Sequence, residues 1–200
     1  MTAMPAAGHI LTRDDILPLE TFEAERATRR RELQALKGAR RVAVGPFTTF
    51  YFECYETMWW QVHEMLRTER GGEAQISDEL AAYNPLIPNG RELVVTFMIE
   101  IGDEVRRTRE LARLGGIERA IAFRIGERKI PAQPEDDIER TTKDGRTSAV
   151  HFLHFPFAPD DVAAFRASGS EIMLTIGHPN YGHAAVLSPE TVAALARDFD

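Results

Sequence analysis

The stretch of residues 40–70, RRVAVGPFTTFYFECYETMWWQVHEMLRTER, contains the pattern that decides the fold. Val42 and Val44 alternate with other residues before a Gly-Pro pair, and Phe50 and Phe52 share one face of the segment that follows. Apolar residues with a period of two predict a β-strand, and a Gly-Pro pair predicts a turn. The first half of the stretch is therefore predicted to be a β-hairpin.

A strongly apolar helix is predicted directly after the hairpin. Met58, Trp59, Val62, Met65 and Leu66 recur at the spacing that places side chains along one side of a helix. A helix with such a stripe buries it against a neighbouring element. We therefore expect this helix to lie across the hairpin, with these side chains in the core.

The rest of the chain alternates between strand and helix patterns. Strands are predicted over 93–101, 117–125, 147–157, 171–177 and 184–187, and helices over 19–37, 104–114, 160–167 and 189–199. This order predicts an α+β fold, with a mainly antiparallel sheet and helices packed on it.

Domain boundaries follow from composition. Residues 1–10 are small and polar and are predicted to be a flexible tail, and 11–200 are predicted to form a single domain. Residues 126–146 contain two prolines and many charges, and we expect a long exposed loop or loose hairpin there. This loop is predicted to be the most mobile internal segment.

Composition indicates a protein of the cytoplasm. The hydrophobic content of 44% and the charged content of 28% are ordinary for a globular chain of 200 residues. Cys54 is the sole cysteine, so an intrachain disulfide is excluded and a reducing compartment is expected. The chain has no secretion signal pattern and no apolar run of about 18 residues. We expect a cytoplasmic protein without a membrane span.

Charge is unevenly distributed along the chain. Residues 26–41 contain seven basic residues and one acid, although the net charge of the whole chain is −7. Arg29, Arg30 and Arg31 could form a docking surface for an acidic partner, with Trp60, which falls off the apolar stripe, as an anchor. The alternative is a solvated helix face. Nucleic acid is not expected as a partner, because the rest of the chain is acidic and would repel phosphate.

The C-terminal third contains four of the six histidines. His151 and His154 lie three apart on a predicted strand and therefore point to opposite faces. His178 and His183 flank a four-residue turn, and with His151 they could bind a divalent transition metal such as zinc, nickel, copper or iron. The alternative is that each histidine is satisfied by hydrogen bonds within the protein. We predict no other cofactor.

Motifs of the well-marked enzyme classes are absent from the sequence. It has no nucleophile motif, phosphate loop, dinucleotide fingerprint or paired-cysteine metal spacing. The absence of these motifs excludes the enzyme classes that they identify, but it does not exclude an enzyme of another class.

Several segments resemble the uncharacterised bacterial domain-of-unknown-function family DUF3501. They are the 40–70 stretch, DELAAYNPLIPNGRELVVTFMIEI at 78–101, TSAVHFLHFPF at 147–157 and GHPNYGH at 177–183. The resemblance extends over nearly the whole chain from Ile10 onward, and YNPLIP and HPNY are its most distinctive parts. His154 stands where relatives are expected to have arginine, which makes it a poor ligand candidate.

The resemblance implies a context but no reaction. Genes of this family tend to lie beside those of rubrerythrin-type ferritin-like proteins and of iron–sulfur oxidoreductases related to heterodisulfide reductase. The favoured hypothesis is a non-catalytic accessory protein of a cytoplasmic redox or peroxide-stress system, with such proteins as partners. The alternative hypothesis is a metal-dependent enzyme that uses the histidine cluster.

Overall fold

The computed structural model describes residues 9–135, 145–167 and 171–200. Within these residues the chain forms six α-helices and two antiparallel β-sheets. The predicted α+β class is confirmed, and the strands divide into two sheets instead of one. The strands are β1 (Arg41–Ala43), β2 (Thr48–Phe52), β3 (Glu92–Ile99), β4 (Ile121–Ile125), β5 (Arg128–Pro131), β6 (Gln133–Pro134), β7 (Val150–Pro156), β8 (Ile172–His178) and β9 (Tyr181–Val186).

The predicted hairpin begins the first sheet, called sheet 1, whose strand order is β1-β2-β3-β7-β6. Val42 lies opposite Phe50 in the β1–β2 pair, as the period of two predicts. Gly45 lies in the turn with φ +77°, a backbone conformation that glycine adopts without steric cost. A Cβ atom at this position would also lie 2.5 Å from the hydroxyl of Tyr181. Both the backbone conformation and the lack of space therefore require glycine in this turn.

The second sheet, called sheet 2, has the strand order β5-β4-β8-β9 and packs on one face of sheet 1. Phe50 and Phe97 of sheet 1 and Phe123 and Leu174 of sheet 2 are fully buried in one shared core. The rings of Phe52 and Phe123, one from each sheet, have centroids 5.8 Å apart. The side chains of the two inner faces thus fill one layer between the sheets.

The other face of sheet 1 carries a layer of helices. The six helices are α1 (Leu19–Ala39), α2 (Tyr55–Glu69), α3 (Glu73–Tyr83), α4 (Glu104–Arg113), α5 (Pro159–Arg166) and α6 (Pro189–Leu195). The first three form this layer, and the other three bury side chains in the core that the two sheets share. Met58, Trp59 and Val62 of α2 are buried in a second cluster with Phe22 of α1 and Val94 of β3. The predicted core stripe of α2 is confirmed for these three residues, whereas Met65 and Leu66 are only partly buried. No helix within 9–135, 145–167 or 171–200 is long and apolar enough to cross a membrane.

Two predicted segments differ in the structure. The strand predicted over 117–125 begins at Ile121, because Ile117–Ala120 forms a 3-10 turn that redirects the chain after Gly116. The loop predicted over 126–146 begins as the strand β5, whose Ile130 packs into the shared core. Residues 136–144, and residues 1–8 of the predicted tail, lie outside the described part of the chain.

His63 is a buried histidine that joins α2 to the segment preceding α1. Its Nδ1 lies 2.7 Å from the Trp59 carbonyl, and its Nε2 accepts a hydrogen bond from the Leu17 amide at 3.0 Å. Nδ1 is therefore the donor, and the ring is neutral. Burial lowers the pKa of His63 to about 4.

This histidine makes the folded state sensitive to acid. Its pKa is about 6.5 in an unfolded chain, so the unfolded state binds more protons than the folded state between pH 6.5 and about 4. We expect His63 to lower the free energy of unfolding by about 2 kcal/mol at pH 5 and by about 3 kcal/mol at pH 4, relative to neutral pH. Urea unfolding of the native protein and of His63→Gln from pH 7.5 to pH 4 measures this loss. If the free energy of unfolding changed with pH in the same way for both proteins, His63 would not be the source of the acid sensitivity.

Candidate functional site

A pocket of about 400 Å³ lies between sheet 1 and the helical layer. We call it the sheet–helix pocket. It forms where α2 covers Val94 but leaves open a neighbouring surface of sheet 1 that extends across β2, β3 and β7. Its wall combines apolar and polar side chains, which come from seven helices and strands and from the connections between them. The lining residues are Lys37, Arg40, Tyr51, Phe52, Glu53, Thr57, Met58, Gln61, Tyr83, Leu86, Thr96, Met98 and Phe152.

The strand register determines which side chains form the base of the pocket. Tyr51 pairs with Thr96, and Thr96 pairs with Phe152 on its other side. Directly paired residues of antiparallel strands place their side chains on the same face. The three side chains therefore form a row across β2, β3 and β7, and Met98 lies two residues along β3 from Thr96.

Glu53 places a carboxylate in the wall of the pocket. The residue lies between β2 and α2 and is only 8% exposed. Its Oε1 accepts a hydrogen bond from the Thr96 hydroxyl at 2.7 Å, and its Oε2 accepts one from the Thr57 hydroxyl at 2.6 Å. Two elements thus hold the carboxylate in one orientation, which is the requirement for a precise polar contact with a ligand.

Arg40 also lines the pocket and holds the backbone beside Glu53. Its guanidinium donates to the carbonyl oxygens of Phe52 at 3.1 Å and of Glu53 at 2.9 Å, and it forms a close ion pair with Asp198. It also donates to the Ala194 carbonyl at 3.1 Å. The arginine therefore fixes the backbone at Glu53 and joins it to the C-terminal segment.

Comparison with known proteins is decisive for the family. The model of a family described as "Protein of unknown function (DUF3501)" matches residues 10–199. The chain belongs to the DUF3501 family. A crystal structure of a protein of unknown function from Burkholderia pseudomallei, determined at 1.90 Å resolution, has the same fold as this DUF3501 protein, with a TM-score of 0.87. The two are 37% identical, and the match covers 95% of this chain and 99% of that one. No curated protein matches the chain.

The distinctive segments of this DUF3501 protein join distant parts of its fold. In YNPLIP, the Asn84 side chain accepts from the Leu11 amide at 2.7 Å and donates to the Leu11 carbonyl at 3.0 Å. In HPNY, the Asn180 side chain donates to the Arg113 carbonyl at 2.8 Å, and the Tyr181 hydroxyl donates to the Val44 carbonyl at 2.9 Å. These contacts give Asn84, Asn180 and Tyr181 structural roles.

The three histidines predicted to bind a metal lie in separate hydrogen-bonding environments. His151 is fully buried in the shared core, with its Nε2 3.0 Å from the Thr147 hydroxyl. His178 Nε2 lies 3.2 Å from the Gly115 carbonyl, and its Nδ1 accepts from the Asn180 amide. The ring of His183 packs against that of Tyr181, with centroids 4.3 Å apart.

The hairpin register separates His178 from His183. His178 pairs with Tyr181, and His183 pairs with Ile176, so the two histidines are diagonal neighbours and not directly opposed. Within the part of the chain that the structure describes, no group of three or more His, Cys, Asp or Glu side chains could hold a metal ion. Metal binding by His151, His178 and His183 stays a prediction, which metal analysis of the purified protein tests.

The predicted docking residues divide into buried and exposed members. Arg29 is buried, pairs with Glu25 at 2.6 Å and lies over the ring of Trp59. Arg30 and Arg31 are exposed on α1. Trp60 is partly buried, with its ring 5.4 Å from that of Phe22 and beside the guanidinium of Arg26. The surface open to a partner is therefore smaller than the one expected from the sequence.

Proposed function

We propose that this DUF3501 protein is a non-catalytic accessory protein that binds a small ligand in the sheet–helix pocket. The observation that carries the proposal is the Glu53 carboxylate, held by two threonine hydroxyls in the wall of a pocket of about 400 Å³. Ligand sites are typically about 300–1,000 Å³ in volume, mainly apolar, and supplied with a few well-placed polar groups. The pocket has each of these properties.

The lining residues favour binding over catalysis. Among the described residues that form the pocket wall there is one carboxylate, and there is no histidine, cysteine or serine. Nucleophilic catalysis pairs a nucleophile with a base, and glycoside hydrolysis pairs two carboxylates. The second carboxylate is not among the described residues of this wall. The Thr57 and Thr96 hydroxyls are the nucleophiles that could pair with Glu53 as a base, and both hold its carboxylate in place, so a fixed recognition group is the simplest role for Glu53.

We place this accessory role in a cytoplasmic redox or peroxide-stress system. The support is the genomic context implied by the family, with rubrerythrin-type and iron–sulfur oxidoreductase proteins as the partners. Cys54 is consistent with a supporting role, because burial raises the pKa of its thiol to about 12 and keeps it protonated at neutral pH. Redox chemistry would then belong to the partners.

Filling the pocket is expected to abolish ligand binding. Met98→Trp places a larger side chain at the base of the pocket, and we expect fragment affinity to fall by about tenfold or more because the ligand and the indole compete for one volume. Met173 on β8 is also half-buried on a strand and does not line the pocket, so Met173→Trp is the matched control. Fragment titrations followed by amide NMR shifts measure both affinities. Equal binding to the two variants would contradict the proposed site.

Partner docking is expected to depend on Arg30 and Arg31. Both are exposed, and exposed charges act mainly on encounter rate and salt dependence. We expect Arg30→Glu with Arg31→Glu to reduce recovery of the rubrerythrin-type and iron–sulfur proteins in affinity purification from the native host. Arg106→Glu with Arg109→Glu, which alters exposed arginines of α4, is the control. Stoichiometric metal in the sample without these partners would instead favour a metal-dependent enzyme.

A further inference from the structure

The Glu53 carboxylate has unused capacity to accept hydrogen bonds. A carboxylate accepts about four hydrogen bonds, and two neutral hydroxyls, those of Thr57 and Thr96, occupy two of these sites. The residue is more than nine-tenths buried, so bulk water reaches little of it. The remaining acceptor sites are available to a donor that enters the pocket.

No basic side chain within the described residues forms an ion pair with Glu53. The guanidinium of Arg40 lies close by but donates to the Glu53 main-chain carbonyl, and its charge is matched by Asp198. Lys37 lies at the exposed rim of the pocket. A buried carboxylate without a cationic partner is costly, and the positive end of α2, which begins two residues later, offsets only part of this cost. The carboxylate therefore favours an occupant that brings a positive charge.

The rest of the wall defines the body of such an occupant. Met58, Leu86 and Met98 present apolar surface, and the rings of Tyr51, Tyr83 and Phe152 surround it. Aromatic faces attract cations and also stack on flat apolar groups. The wall thus matches a molecule with one cationic end and an apolar or aromatic body.

We propose that the sheet–helix pocket binds a small organic cation whose ammonium group pairs with Glu53 and whose apolar body lies along the methionine and aromatic wall. This inference rests on the proposed ligand-binding function and specifies the chemical class of the ligand. The requirement for a positively charged ligand distinguishes this inference from the broader proposal that the pocket binds some small molecule.

Three probes of nearly equal shape test the inference: phenethylammonium, the neutral phenethyl alcohol and the anion phenylpropionate. We expect phenethylammonium to bind the native protein about tenfold to a hundredfold more tightly than the alcohol, because it adds a charge-assisted hydrogen bond. Glu53→Gln should remove this difference and keep the affinity for the alcohol. Glu56→Gln removes a carboxylate from the same helix end outside the pocket and should preserve the preference. Amide NMR spectra of each variant verify the fold.

The outcomes separate the two levels of the proposal. Equal affinity for the three probes, or a cation preference that survives in Glu53→Gln, would overturn the ligand class while leaving the pocket as a binding site. If none of the three probes shifts the amide signals of the pocket in the native protein, both the ligand class and the proposed binding function are overturned.

Discussion

Replacing Arg40 with methionine is expected to lower the free energy of unfolding by about 3–5 kcal/mol. Arg40 is 4% exposed and donates to the carbonyl oxygens of Phe52, Glu53 and Ala194 as well as to the Asp198 carboxylate. Methionine fills much of the same volume but donates no hydrogen bond. The substitution therefore leaves a buried carboxylate without its counter-ion and buried carbonyls without their donor, and both are costly. Urea unfolding at neutral pH measures the loss.

The neighbouring arginine provides the matched control. The side chain of Arg41 is 55% exposed and lies 3.9 Å from the Glu100 carboxylate, so Arg41→Met should cost less than about 1 kcal/mol. Adding Asp198→Leu to Arg40→Met should recover part of the lost stability, because the unpaired charge is then removed. If Arg40→Met were as stable as Arg41→Met, the buried ion pair would not hold the C-terminal segment in place.

Trp59→Ala is the second substitution for which we expect a large effect, about 3–5 kcal/mol of lost stability. Trp59 is 3% exposed, and its ring lies 3.9 Å from that of His63 and 5.9 Å from that of Phe22, measured between centroids. Its indole N–H donates to the Asp15 carbonyl at 2.8 Å. Truncation removes these contacts, leaves a cavity beneath α1 and deprives the Asp15 carbonyl of its donor.

Trp60 is the control for this substitution. It is the next residue on α2 and is only partly buried, so Trp60→Ala removes less buried surface and should cost less than half as much. Chemical denaturation of the two variants with one protocol gives the comparison. Similar losses would show that the layer of α1 and α2 packs around both indoles equally, which contradicts the core assigned to Trp59.

The hairpin and helix of residues 40–70 could be predicted from sequence because their buried residues recur at a fixed spacing. Phe50 and Phe52 at a period of two, and Met58, Trp59 and Val62 at helical spacing, each identify one buried face. The division into two sheets could not be predicted in this way. It depends on pairings such as Phe123 with Leu174, which the local pattern of neither strand specifies.

Errors in the predicted surfaces also have physical causes. Arg29 lies seven residues after Phe22 and four before Leu33, which places it on the buried side of α1, so its burial was readable from helical spacing. The separation of His178 from His183 was not readable. It follows from a two-residue turn that pairs His178 with Tyr181, and turn length sets hairpin register.

The candidate pocket was missed because its parts are distant in sequence. The sequence around Glu53 did contain a local signal, because a carboxylate between the apolar residues Phe52 and Cys54 is either buried with them or directed away from the core. Thr96, its partner from β3, carried none. Only the pairing of β2 with β3 brings the hydroxyl of Thr96 to the carboxylate.

The most direct measurement of the central claim is a crystal structure of the native protein soaked with phenethylammonium. The account predicts one molecule in the sheet–helix pocket, with its ammonium nitrogen about 2.7–2.9 Å from a carboxylate oxygen of Glu53 and its ring against Met98 and Phe152. Crystals of Glu53→Gln soaked at the same concentration should show this molecule at clearly lower occupancy. Binding elsewhere on the surface, or an empty pocket in the native protein at a concentration that saturates the solution titration, would contradict the account.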